Sequence, residues 1–87
     1  MRVVHHREFD KRYPKLRLGE QEKFKERQAL FIINSFDPVL RNHSLHGEYA
    51  GYRSIDITGD LRVHYKLLDE NTAVFATIGT HHELYGK

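Results

Sequence analysis

The sequence predicts an α+β domain: a short first strand, two helices, then three strands, with both helices packed on one face of a small antiparallel sheet. Three observations carry the prediction. Residues 20–35, EQEKFKERQALFIINS, form the clearest stretch with helical spacing of apolar side chains. Residues 52–79 hold three runs with strand-like alternation, separated by turn signals. Helices and strands are segregated along the chain, which favours α+β over alternating α/β architecture.

The elements follow in order. RVVHH at 2–6 leans to strand through Val3 and Val4. REFDKRYPKLR at 7–17 puts Phe9, Tyr13 and Leu16 at helical spacing, and Pro14 shortens or kinks that helix. In the second helix Phe24, Leu30, Phe31, Ile32 and Ile33 supply the apolar side, and its second half suits docking on a sheet. Glu20 and Glu22 lie in its first turn, where negative charge complements the helix dipole. Pro38 prevents continuation past Phe36 or Asp37. In YRSIDIT, Arg53, Ile55 and Ile57 alternate with Tyr52, Ser54, Asp56 and Thr58. Gly59-Asp60 is a turn. LRVHYKLL sets Leu61, Val63, Tyr65 and Leu67 against Arg62, His64 and Lys66. After a turn at Asp69-Glu70-Asn71, TAVFATIG sets Val74, Ala76 and Ile78 against Ala73, Phe75 and Thr77. HHELYG is then a short helical or extended tail. The sheet face without helices stays partly open, but period two fixes faces only relative to each other.

At 87 residues the chain reads as one domain, 1–87, with a modest core. It has no cysteine, which removes disulfide and thiolate chemistry. No apolar run approaches the roughly 18–20 residues needed to cross a bilayer, and the first residues lack a signal-peptide core. A cytoplasmic protein is the expectation. The net charge of +2 is basic but small, so polyanion binding requires localised positive charge. Seven histidines are many for this length, and histidine titrates nearest neutrality.

Five of them, His43, His46, His64, His81 and His82, lie in the second half. A metal site is the weak reading: His43 and His46 sit in a loop without an HExxH or cysteine pattern. Hydrogen bonding at the surface is the favoured reading for His5, His6, His46 and His82 taken singly. General acid–base work on RNA is the third reading. RNA carries its own nucleophile, the 2′-hydroxyl, so cleavage needs a base, an acid and cations for the phosphorane charge, with no metal or cofactor. His, Asp, Tyr, Lys and Arg suffice, and all occur here, as they do on many surfaces.

The order of these residues is more specific. H-x-L-x-G at His43–Gly47, G-Y-R at Gly51–Arg53, D-L-R-V-x-Y at Asp60–Tyr65 and G-T-H-x-x-L-Y at Gly79–Tyr85 resemble the RelE/ParE superfamily of toxins, specifically its YafQ-like branch. About half the chain resembles it closely; E-F-x-K-x-Y-x-K-L at Glu8–Leu16 extends it loosely. The resemblance implies a βααβββ fold and a toxin of a type II toxin–antitoxin system. It implies a ribosome-dependent, metal-independent endoribonuclease acting on mRNA, monomeric alone and held inactive in a hetero-oligomer with its antitoxin. It also implies roles: His43 and Asp60 as base or its positioning group, His81 as acid, Arg62 on the scissile phosphate, and Tyr85 on the substrate. Two positions depart from the pattern. Asp56 stands where the branch has a histidine, and is a possible base or orienter of His43. Thr77 stands where it has an arginine, whose charge Arg62 is the candidate to replace. Arg53, His64 and Lys66 are candidate RNA contacts, with Lys11, Arg12 and Lys15 as a basic cluster near the first helix. Each has a plainer reading as packing or solvated surface. Tyr52 reads as packing and Tyr65 as core. The alternatives are a ParE-like toxin that binds gyrase without cutting RNA, and a weakened member that mainly binds its antitoxin.

Overall fold

Val3 and Val4 begin the chain as a strand, β1 (Arg2–His5), in a computed structural model that describes residues 1–86. His6 caps the next element: its Nδ1 accepts the Glu8 backbone N–H at 3.1 Å. That cap opens α1 (Arg7–Arg12), which passes into a 3₁₀ turn over Tyr13–Lys15. Pro14 sits within the turn, where its missing N–H costs least. α2 (Leu18–Ile33) starts two residues before the expected point. Glu20 fixes the start, its carboxylate accepting the Arg17 backbone N–H at 3.0 Å.

The strands are β2 (His43–Ser44), β3 (Arg53–Asp56), β4 (Leu61–Asp69) and β5 (Thr72–Thr80), followed by α3 (His81–Tyr85). They form one sheet in the order β1-β5-β4-β3-β2. Two features of it correct the sequence reading. β1 pairs parallel with β5, so the sheet is mixed rather than antiparallel; a helical crossover is what permits parallel pairing. β2 is a further strand, two residues inside the loop, paired with β3.

α1 and α2 cover one face. Phe9, Phe24, Phe31, Tyr65 and Phe75 pack there as an aromatic cluster with Ile55, Val63 and Ile78. In α2, Phe24 and Phe31 lie seven residues apart and share a stripe. Ile32 and Ile33 follow at about 100° and 200° around the axis, and Ile33 is 83% exposed. The expected apolar second half therefore docks only partly.

β5 breaks its predicted alternation. Tyr65 pairs with Phe75 but His64 pairs with Thr77, so Ala76 is an extra residue, a bulge. The bulge turns Phe75 and Ile78 both into the core and sends Thr77 to the other face. α3 folds back over that face near Gly79. A Cβ there would lie 3.2 Å from Leu84 Cδ2 and 3.1 Å from Glu83 Oε1, so the close approach needs glycine.

Candidate active site

Strand register puts four side chains in one row across the face away from α1 and α2. His43 opposes Ser54, Ser54 opposes His64, and His64 opposes Thr77. The next row carries Asp56, Arg62 and Gly79. α3 adds His81 and, one turn on, Tyr85, whose rings stand 4.6 Å apart between centroids. The Thr80 hydroxyl accepts the Glu83 N–H and Glu83 accepts the Thr80 N–H, which fixes the start of α3 and so the entry of His81.

His43 is exposed, and its Nδ1–H donates to the Arg41 carbonyl at 2.8 Å. A carbonyl only accepts, so in the neutral ring Nε2 keeps its lone pair and is suited to take a proton. Arg41 itself adopts left-handed backbone, φ 49°, which sets that carbonyl.

His64 lies at the centre and is 1% exposed. Its Nε2 stands 3.3 Å from the Tyr85 hydroxyl. Tyr49 packs its edge against His64 and Tyr85, and its hydroxyl donates to the Leu84 carbonyl at 2.6 Å, tying the loop to α3. Burial pushes the His64 pKa down to about 4, and positive charge on His43 or His81 opposes its protonation further. His64 is therefore neutral at pH 7. Burial also raises the Tyr85 pKa, with Tyr49 adding to the rise and Arg62 opposing it.

Arg62 is held on both sides. Its Nε meets Asp56 Oδ1 at 3.2 Å and its Nη1 donates to the Thr58 carbonyl at 3.2 Å. Asp56 also meets Arg41 Nε at 3.6 Å. Two guanidiniums share one carboxylate, so this corner keeps net positive charge.

The family model described as bacterial toxin of type II toxin-antitoxin system, YafQ, matches residues 1–86. The chain belongs to the YafQ toxin family. Similar solved structures include YafQ from E. coli strain BL21(DE3), at 27% identity and TM-score 0.79, covering 99% of this chain and 100% of that one. The E. coli DinJ-YafQ toxin-antitoxin complex aligns at 28% identity and TM-score 0.75, over 97% and 96% of the two chains. A YoeB/ParE toxin from Agrobacterium tumefaciens aligns at 20% identity and TM-score 0.76, over 93% and 99%, a likeness of fold. No curated protein matches the sequence significantly.

Within this YafQ-family chain, the sheet and α3 bring His43, Arg62, His81 and Tyr85 to one face, with Asp56 beneath Arg62. Asp60 reaches the site through its backbone: its carbonyl accepts the His81 N–H at 3.2 Å, while its exposed side chain joins no hydrogen bond or ion pair among the described residues. Asp56 does not orient His43; the Arg41 carbonyl does. Alternation predicts His64 on a solvated or phosphate-tracking stripe, whereas Tyr49 and Tyr85 bury it. Lys66 is exposed, 5.2 Å above the Tyr52 ring. Arg53 lies on the opposite, helix-covered face. Its Nε donates to Asn42 Oδ1 at 2.8 Å and its guanidinium covers the Phe36 ring. Period two makes this unavoidable, because Arg53 shares a face with Ile55. Arg12 pairs with Glu8 at 2.7 Å, and it lines a shallow hollow with Lys11, Lys15 and Glu83, outside the histidine row.

Among the described residues no group of three or more His, Cys, Asp or Glu side chains is arranged to hold a metal. His5 stacks on Phe9 and bonds Gln28, and His6 caps α1, so both are structural. Tyr49 is the site residue the sequence reading missed. It sits between two glycines with positive φ, Gly47 and Gly51. That G-x-Y-x-G spacing is the signal that could have marked a turn presenting an aromatic.

Proposed function

We propose that this toxin is an endoribonuclease that cuts mRNA on the ribosome by general acid–base catalysis, and that it acts in the cytoplasm. The observation that carries the reading is the tautomer-fixed, exposed His43 on the same sheet face as exposed His81, with a preorganised Arg62 beside them. In this reading His43 Nε2 takes the proton of the 2′-hydroxyl, and O2′ attacks phosphorus. The P–O5′ bond breaks, and His81 delivers a proton to the departing O5′. Arg62 stabilises charge on the phosphorane oxygens, and Tyr85 orients the substrate. Asp60 positions His81 through its backbone carbonyl. The products are a 2′,3′-cyclic phosphate and a 5′-hydroxyl.

The E. coli relative is solved with the partner DinJ, which supports a cognate antitoxin here too. The exposed Ile33, Phe36 and Val39 at the end of α2 offer it apolar area.

The experiment is translating ribosomes with purified toxin and mapped RNA ends. Cleavage within codons should leave 5′-hydroxyl ends and fall about 100-fold or more in His81→Ala and His43→Ala. A 2′-deoxynucleotide at the cut should abolish it. Undiminished cutting of the deoxy substrate, or by folded His81→Ala, defeats the proposal. Toxicity without cuts would favour a binding toxin instead.

A further inference from the structure

Three polar side chains meet under α3: Thr77 on β5, His64 on β4 and Tyr85 on α3 itself. Thr77 and His64 stand directly opposite each other across the two strands, and His64 Nε2 lies 3.3 Å from the Tyr85 hydroxyl. Two of their atoms, His64 Nδ1 and Thr77 Oγ1, are buried and have no hydrogen-bond partner among the described residues. Buried polar groups are nearly always hydrogen-bonded. Directly opposed residues have Cβ atoms only about 4.5–5.5 Å apart, so a turn of the Thr77 side chain brings its hydroxyl within reach of Nδ1. Each orphan is then the other's partner.

Burial sets the direction of this chain of hydrogen bonds. It holds His64 neutral and keeps the Tyr85 hydroxyl protonated. A neutral imidazole has one N–H and one lone pair. With its hydrogen on Nδ1, His64 would donate to Thr77 and accept from Tyr85, and the buried Thr77 hydrogen would be left without an acceptor. An unmet buried donor forfeits its hydration with nothing in return. With the hydrogen on Nε2, Thr77 donates to Nδ1, Nε2–H donates to the Tyr85 oxygen, and only the Tyr85 hydrogen is left over. Tyr85 is half-buried, on the open side of the sheet, where solvent or substrate accepts that hydrogen. Tyr49 does not compete, because its own hydroxyl donates to the Leu84 carbonyl.

We infer that Thr77 and His64 are positioning residues: Thr77 O–H donates to His64 Nδ1, His64 Nε2–H donates to the Tyr85 oxygen, and the Tyr85 O–H is thereby aimed outward at the substrate. The Tyr85 ring lies 4.6 Å from that of His81 between centroids, so the same chain steadies the proposed acid. The bulge at Ala76 is what brings Thr77 to this face. The effect on cleavage rests on the nuclease reading; the chain of hydrogen bonds does not.

NMR of the free protein and kinetics on translating ribosomes test it separately. Long-range proton–nitrogen spectra should find the His64 hydrogen on Nε2. Thr77→Val should move the Nδ1 signal, and Thr77→Ser should leave it near its place. A hydrogen on Nδ1, or an Nδ1 signal indifferent to Thr77→Val, overturns the inference. In single-turnover cleavage at saturating toxin, His64→Leu should lower the maximal rate about tenfold or more, with ribosome affinity unchanged. His64→Gln, whose amide N–H can take the place of Nε2–H, should recover most of that loss. In a Tyr85→Phe background His64→Leu should cost less than about twofold, because the partner is already gone. Equal losses in both backgrounds, or no rescue by glutamine, overturn the inference. If His64→Leu does not fold, Thr77→Val in the two Tyr85 backgrounds makes the same comparison. A protein that shows the Nε2–H tautomer and its dependence on Thr77 but never cuts RNA retains the chain and loses the nuclease reading. One that cuts with no coupling between positions 64 and 85 does the reverse.

Discussion

Asp56 lies between Arg62 and Arg41, and in the proposed reading this places Arg62 to supply the charge that position 77 lacks. The carboxylate and the Thr58 carbonyl hold the Arg62 guanidinium before substrate arrives, so little reorganisation is left for the reaction. Arg62→Ala should reduce single-turnover cleavage by about 100-fold or more with folding intact by circular dichroism. Asp56→Asn should have a smaller effect in the same assay. Wild-type rates in Arg62→Ala would assign phosphate stabilisation elsewhere. His64 makes a separate prediction. Its pKa falls from 6.5 to about 4 on folding because burial excludes the charged ring. Below pH 6.5 the unfolded chain takes up a proton that the folded one refuses, so stability falls as pH drops from 6.5 towards 4. The loss is about 3 kcal/mol at most. Urea midpoints at pH 7 and pH 4.5 should differ less in His64→Gln than in wild type; an equal difference would argue against a buried neutral His64.

Among the elements, α3 and the bulge in β5 decide where chemistry sits. α3 has five residues and is far too short to be stable alone. It is held by its cap, by buried Leu84, and by the Tyr49 hydroxyl on the Leu84 carbonyl. Gly79 makes this docking possible. Gly79→Val should push α3 off the sheet and move His81, lowering cleavage about 100-fold while the melting transition stays cooperative. Activity equal to wild type would show that α3 tolerates the displacement. Ala76 acts through register: paired regularly instead of bulged, it would take the place opposite His64, Thr77 would share the core face of Phe75, and the row would lose its hydroxyl.

Across the whole molecule, one sheet separates two tasks. The helix-covered face holds the aromatic core, and the other face holds the site. Phe31 is fully buried and touches both Tyr65 and Phe75. Phe31→Ala should cost about 3–5 kcal/mol, a large share of the roughly 5–15 kcal/mol that stabilises a small domain; denaturant titration measures it directly. A cost under about 1 kcal/mol would mean that the core repacks around the gap.

The sequence by itself determined the strand–helix–helix–strands order, the alternation that puts Ile55, Val63 and Tyr65 opposite Arg62 and His64, and the motifs that carry the family. These are local signals, written in spacing along the chain, and they hold wherever no bulge interrupts the ladder, as one does in β5. It could not determine that β1 joins β5 in parallel, or that Asp60 meets His81 through its backbone carbonyl. Nor could it show that His64 is buried. That burial comes from Tyr49 and Tyr85, two side chains brought from 15 and 21 residues away (64 − 49 and 85 − 64) by a glycine-flanked turn and a docked helix. Contacts between segments distant in sequence depend on how all the elements close together, and only the tertiary structure decides them.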